Sequence, residues 1–170
     1  MLRHLRRAAA VGVTALLASL ALAPSARADI QTFPDVGAHI TAVRVSHGPR
    51  TVGVTAVDAQ MAIGTYYHFW LDTNSSDPGP EYKVPVYADS DGLFLMKVAN
   101  FASSGIKLNC AGIDAIADTD GPEYAKLIVP RSCIGTPSRV RVAVVGYYDE
   151  NPDVVDWAPG EERFYPWVNR

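Results

Sequence analysis

The residues best suited to bind a ligand or to do chemistry lie in the stretch "YYHFWLDTNSSDPGPE", positions 66–81, where an aromatic run leads into an acidic turn. Alternation along a strand would place Tyr66, His68 and Trp70 on one face and the residues between them on the other. If one face is core and the other is open, these three side chains form a flat strip that stacks on sugar rings or peptides. The alternative, which we favour, is that a second sheet covers one face and the aromatic C-terminal tail covers the other.

The acidic turn offers hard oxygen ligands of the kind that calcium prefers, at Asp72, Asp77 and Glu81. Their spacing differs from that of an EF-hand loop. "ADSDG" at 88–92 and "DTDG" at 118–121 are candidate second sites. The alternative, again favoured, is that these residues only build tight turns, in which Asp, Asn, Ser and Gly are common. We therefore predict no cofactor, with structural calcium as the alternative.

Catalytic signatures are absent from the sequence. After residue 28 the histidines are His39, His47 and His68, and no G-x-S-x-G, H-E-x-x-H or glycine-rich phosphate motif accompanies them. A nucleophile needs an adjacent base and an orienting acid, and no local cluster supplies that set. Asp72 and Glu81 could approach the separation of about 5–10 Å used by glycosidases, but so could many acid pairs in this acid-rich chain. We predict no catalytic residue and no enzymatic activity.

The two cysteines, Cys110 and Cys133, predict one disulfide if the chain folds in an oxidising compartment. In the chain-entropy model, closing a loop of this length contributes roughly 3.5 kcal/mol. A reactive thiol is the alternative reading. A zinc site is not indicated, because the two residues lack the paired spacing of zinc ligands.

The N-terminal residues 1–28 are typical of a cleaved signal peptide. Three arginines lie within the first seven positions, residues 8–23 are apolar, and "PSARA" precedes the Ala28–Asp29 bond. A membrane anchor is disfavoured because Pro24 ends the apolar run early. The Arg6–Arg7 pair raises the twin-arginine export route, but the residues after it favour the general one. The expectation is a secreted protein without a membrane span in its mature form.

Residues 29–170 are expected to form one domain. Removing residues 1–28 takes away four arginines and no acid, which leaves 11 basic residues against 18 acidic ones. Such an acidic surface argues against nucleic acid and anionic membranes as partners.

Short apolar runs separated by turn residues predict an all-β fold. "ITAVRVSH" (40–47) and "TVGVTAVD" (51–58) alternate and flank a Gly-Pro break, which indicates a hairpin. About eight such strands predict a two-layer antiparallel β-sandwich of jelly-roll or Ig-like type, with a barrel as the alternative. Pro85 marks an edge or a bulge. The proline- and aromatic-rich tail, 151–170, should cover one end or side of the sandwich.

The segments "HFWLDT…DPGPEY", "VPRSCIGTPSRVRVAV" and "DWAP…W" resemble small exported proteins of actinobacteria that carry no assigned activity. The layout is also loosely similar to carbohydrate-binding and DOMON-type sandwiches, which pair early strands with an aromatic "DT" strand. The resemblance implies an exported location and a sandwich architecture. It brings no haem ligand and no complete sugar-binding motif.

Two functions follow as hypotheses. The first is a secreted, non-catalytic binding module for cell-envelope or environmental glycans, with Tyr66, His68 and Trp70 as its contact residues. The second is a structural or protein-interaction protein of the envelope that has no small-molecule ligand.

Overall fold

The computed structural model describes residues 28–59, 61–62, 64–77, 79–87, 92–119, 123–148 and 155–170. These residues form twelve strands and one short 3-10 helix. The strands are β1 (Asp29–Pro34), β2 (Ile40–His47), β3 (Thr51–Asp58), β4 (Tyr66–Asp72), β5 (Tyr82–Tyr87), β6 (Leu95–Lys97), β7 (Ile106–Leu108), β8 (Asp114–Asp118), β9 (Tyr124–Pro130), β10 (Arg139–Tyr147), β11 (Val155–Ala158) and β12 (Val168–Asn169), and the helix is Arg131–Ile134.

Two antiparallel sheets pack face to face, which confirms the predicted two-layer β-sandwich. The five-stranded sheet has the order β1-β2-β3-β9-β8, and the seven-stranded sheet has the order β11-β10-β4-β5-β6-β7, with β12 also paired to β10. The barrel alternative is therefore wrong, and the expected number of about eight strands was too low. β7 and β12 span only three and two residues, too few to show an alternating pattern.

The core lies between the inner faces of the two sheets and follows from strand alternation. Every second residue of the central strands is apolar, β-branched or aromatic, and it points at the opposite sheet. Burying one such side chain fully contributes about 1.5–3 kcal/mol. Among the residues at most 1 % exposed in these strands are Val43 and Val45 of β2, Val52 and Val54 of β3, Tyr67, Phe69 and Leu71 of β4, and Val140, Val142 and Val144 of β10.

The predicted disulfide joins Cys110 to Cys133, with the two Cα atoms 5.6 Å apart. It ties the turn before β8 to the 3-10 helix that follows β9. Neither cysteine is free, so the reactive-thiol alternative is wrong.

Pro85 lies where β5 has a partner on one side. It pairs with His68 of β4, whereas β6 pairs with β5 at Tyr82 and Lys83. Within the described ranges no strand adjoins Pro85 on the other side. Because proline has no backbone N–H to donate to a neighbouring strand, the sequence predicted an edge or a bulge here, and the local edge agrees with that prediction.

Several predictions concern residues that the structure does not describe. The predicted signal peptide lies outside the described residues except for Ala28, and so do 88–91 and 120–121 of the two candidate calcium loops. The single domain over 29–170 stays a prediction. Among the described residues, no helix has the length and apolar character needed to cross a bilayer.

Candidate functional site

The strand register brings the predicted aromatic residues to the outer face of the seven-stranded sheet. Tyr66 lies between Tyr147 of β10 and Tyr87 of β5. In the next rows His68 lies between Val145 and Pro85, and Trp70 lies between Ala143 and Lys83. We call this surface the aromatic face; its members on β4 and β10 are Tyr66, His68, Trp70, Ala143, Val145 and Tyr147.

Trp70 is closed off from solvent, with only 2 % of its surface exposed. The ring of Phe101 meets it edge-on at a centroid distance of 5.1 Å. The ammonium of Lys83 lies 5.0 Å from the centre of the indole. No sugar ring could stack on this indole without displacing those two side chains.

His68 is also enclosed by aromatic rings. Tyr147 lies edge-on to it at 4.9 Å, and Trp70 lies edge-on at 6.1 Å. Burial, helped by the nearby positive charge of Lys83, lowers the pKa of His68 to about 4. The imidazole is therefore neutral at physiological pH and acts as a packing residue.

Tyr66 is the middle ring of a row of three tyrosines. It stacks on Tyr147 at 4.5 Å with an interplanar angle of 7° and on Tyr87 at 5.3 Å with an angle of 24°. Both faces of Tyr66 are thus covered by other rings. The flat strip expected from the sequence is a set of rings that pack on one another, and ligand binding by Tyr66, His68 and Trp70 stays a prediction.

The C-terminal tail contributes the rest of this cover. Phe164 packs against Phe101 at 5.1 Å, and the guanidinium of Arg141 lies 4.8 Å from the Phe164 ring. Arg141 also lies 4.8 Å from the ring of Trp167. These contacts correspond to the favoured alternative, in which the tail covers the second face of β4.

The three predicted calcium ligands make separate local contacts. Asp72 is fully buried and forms an ion pair with Arg141 at 2.6 Å. Burial raises the pKa of Asp72, although the guanidinium of Arg141 opposes that rise. Glu81 accepts a hydrogen bond from the N–H of Thr73 at 2.6 Å, and Asp77 is exposed.

No group of three or more His, Cys, Asp or Glu side chains that could hold a metal ion occurs in the part of the chain that the structure describes. The observed contacts of Asp72 and Glu81 close the turn, which is the alternative role expected from the sequence. Calcium binding stays a prediction.

A polar cluster lies at one end of the sandwich. The hydroxyls of Tyr67 and Tyr148 both donate to Oδ2 of Asp58 at 2.5 Å. Burial and this carboxylate raise the pKa of both tyrosines far above the usual range, so both stay protonated. His39 stacks on Tyr148 at 4.0 Å, and Asp156 accepts its backbone N–H at 2.7 Å. Because these polar contacts join segments that are distant along the chain, we assign the cluster a structural role.

The outer face of the five-stranded sheet carries a groove of about 460 Å³. Register sets a row across this outer face, in which Thr32, Arg44, Thr55, Lys126 and Ile116 lie side by side across the five strands. Of this row, Arg44, Thr55 and Lys126 line the groove. The residues that line the groove are Ile30, Arg44, Ser46, Gly53, Thr55, Val57, Glu123, Tyr124 and Lys126.

Gly53 lies at the floor of the groove beside Ser46. A Cβ at this position would lie 2.6 Å from Oγ of Ser46, its neighbour on β2. Glycine at this position therefore leaves room for the Ser46 side chain, while its own backbone stays uncovered by a side chain. Around this floor the walls combine hydroxyls with apolar surface, since Ile30 is 49 % and Val57 is 38 % exposed.

Sequence reasoning missed this groove, although part of its signal was present. Alternation in the β2–β3 hairpin assigns Arg44, Ser46, Gly53 and Thr55 to one face, opposite the valines of the core. Polar residues on an outer face are usually only solvated, so that pattern alone did not indicate a site. Tyr124 and Lys126 complete it from β9, about seventy positions further along the chain.

Comparisons with known proteins add no relative. No protein-family model matches the chain, and no curated protein or solved structure matches it significantly.

Proposed function

We propose that this protein is an exported, non-catalytic binding module for cell-envelope or environmental glycans, and that the groove on the five-stranded sheet is its binding site. The observation that carries the proposal is the groove itself, about 460 Å³ of concave surface with a glycine floor. Sugars present hydroxyls along their edges and apolar faces on their rings. Ser46 and Thr55 supply hydroxyls, while Val57 and Tyr124 supply apolar contact.

The groove is a better candidate than the aromatic face because its contact surfaces are open. On the aromatic face, the rings of Tyr66, His68 and Trp70 already pack against other rings. A ligand there would have to displace these contacts and would lose their stabilisation, whereas the groove needs no rearrangement.

Two features support export. Residues 1–28 have the pattern of a signal peptide, and a disulfide joins Cys110 to Cys133. Structural disulfides persist mainly in oxidising compartments such as the extracellular space.

The test is co-sedimentation of the mature, oxidised protein with insoluble polysaccharides and purified cell walls, with calcium or with a chelator. Filling the floor by Gly53→Val, in a Ser46→Ala background that removes the clash, should lower binding at least about tenfold. Ser46→Ala alone is the background control. Thr32→Val is the matched control, because it adds an apolar side chain to the same face outside the groove.

The proposal is overturned if the wild type pellets with no glycan, or if Gly53→Val and Thr32→Val bind alike. Binding that disappears in chelator would instead indicate that calcium at Asp72, Asp77 or Glu81 takes part. Thermal melts of each variant exclude unfolding as the cause of any loss.

The second candidate, a protein-interaction role, has one observation in its favour. β7 is the last strand of the seven-stranded order, and its Ile106 is 73 % exposed. Such an edge can accept a strand from another chain. If an envelope protein binds the wild type but not Ile106→Lys, while glycan binding is absent, this role replaces the first.

A further inference from the structure

Two cations face the groove from neighbouring positions. Arg44 of β2 and Lys126 of β9 both pair with Thr55 of β3, one from each side. Because adjacent strands lie about 4.8 Å apart, their backbones are separated by about 10 Å with a threonine between them. Both side chains lie on the outer face, because residues directly opposite one another on neighbouring strands point to the same face of a sheet.

Neither cation forms an ion pair within the part of the chain that the structure describes, where the ion pair found is that of Arg141 with Asp72. The one acid that lines the groove is Glu123, and its Oε2 accepts the backbone N–H of Met61 at 2.6 Å. An acidic chain of net charge −3 therefore keeps two unpaired positive charges in its groove.

We infer that the ligand of this groove is an acidic glycan whose sugar rings carry carboxylates, that is, a polymer containing uronic acids. This inference rests on the proposed function and specifies its ligand class. The guanidinium of Arg44 matches the planar fork of a carboxylate, and Lys126 supplies a second charge for the next acidic group. Thr55 lies between them, in position to meet a ring hydroxyl.

The apolar part of the groove selects a sugar acid over a polyol phosphate. Val57 and Tyr124 are directly paired across β3 and β9, in the row next to that of the two cations. They form an apolar strip parallel to the charged row. A uronic acid has both a ring face for this strip and a carboxylate for the cations, whereas poly(glycerol phosphate) has charge without a ring.

The test compares immobilised polygalacturonate, its neutral methyl ester and poly(glycerol phosphate) as ligands for the mature protein. Polygalacturonate should bind at least about tenfold more tightly than the ester, the effect of one charge-assisted hydrogen bond. Arg44→Gln and Lys126→Gln should each weaken it by about tenfold. Lys97→Gln makes the same charge change at an exposed lysine of β6 and should stay within about twofold.

Raising the ionic strength from about 0.05 M to about 0.5 M should weaken binding of polygalacturonate and leave that of neutral glycans unchanged. If the ester binds as tightly as the acid, and Arg44→Gln has no effect, the inference is overturned and the proposed function stands. Tighter binding of poly(glycerol phosphate) overturns the choice of uronic acid. If no glycan of either kind binds, both proposals fall.

Discussion

The two outer faces of the sandwich differ in what lies over them. The outer face of the seven-stranded sheet carries rings that are packed together and covered by Phe101 and the C-terminal tail. The outer face of the five-stranded sheet carries hydroxyls, cations and exposed aliphatic residues around a glycine floor. Both faces arise from the same alternation along their strands. The face rich in aromatic residues is therefore a second small core, while the polar face is the accessible one.

The path of the chain after β10 explains the difference. β11 and β12 both pair with β10, so the intervening segment stays beside the seven-stranded sheet. Phe164 then reaches Phe101 on the outer face, while Tyr165 turns inward and stacks on Phe33 at 4.8 Å. Within the described ranges, nothing comparable lies over the groove.

The largest expected effect follows from truncating the best-covered ring. Trp70→Ala removes an indole that is 2 % exposed and should lower the free energy of unfolding by about 3–5 kcal/mol. Thr55→Ala in the groove should change it by less than about 0.5 kcal/mol. Denaturant titrations of both variants measure the contrast. Equal losses of unfolding free energy in the two variants would mean that the two faces are equally covered.

The next effect is the pH dependence of stability that His68 adds from the covered face. The pKa of His68 is about 4 in the folded protein against 6.5 in the unfolded chain, so the unfolded chain binds the proton first. Stability should therefore fall as the pH drops from about 6.5 to 4, by up to about 3 kcal/mol. In His68→Phe that part of the fall should vanish.

Comparing the two proteins at each pH removes the contribution of His47, whose pKa burial also lowers. The measurement is the denaturation midpoint across this pH range. Parallel curves for wild type and His68→Phe would show that the imidazole is open to water in solution.

A smaller loss of stability should follow from removing a residue of the cover instead of the tryptophan beneath it. Phe164→Ala removes one half-buried ring from above Phe101 and should cost about 1–2 kcal/mol. It should also make tryptophan fluorescence more accessible to acrylamide. Ile116→Ala on the open face, where the side chain is 49 % exposed, is the control and should change neither quantity. Unchanged quenching in Phe164→Ala would contradict the assigned cover.

The smallest expected effect compares one lysine from each face. Lys83→Gln loses a cation–π contact with Trp70 and should cost about 0.5–1 kcal/mol. Lys126→Gln should leave stability unchanged within about 0.5 kcal/mol while it weakens binding of acidic glycans. Melting curves beside binding curves separate the two roles. A stability loss in Lys126→Gln would assign that lysine to the fold.

Much of the fold could be predicted because its signals are local. The β2–β3 hairpin shows alternation on both sides of a turn, and the two cysteines leave one intramolecular pairing. The short strands β7 and β12 could not be predicted, since three and two residues are too few to show a pattern. The groove escaped prediction for a different reason, because Lys126 joins Arg44 only when β9 pairs with β3.

The sequence by itself determined which side chains share a face, since alternation is a property of each strand. It placed Tyr66, His68 and Trp70 together and separated Arg44 and Ser46 from the core valines. Only the tertiary structure decided which of these faces is covered. That outcome depends on where Phe101 and the tail around Phe164 come to lie, tens of residues away along the chain, and no local pattern contains such long-range packing.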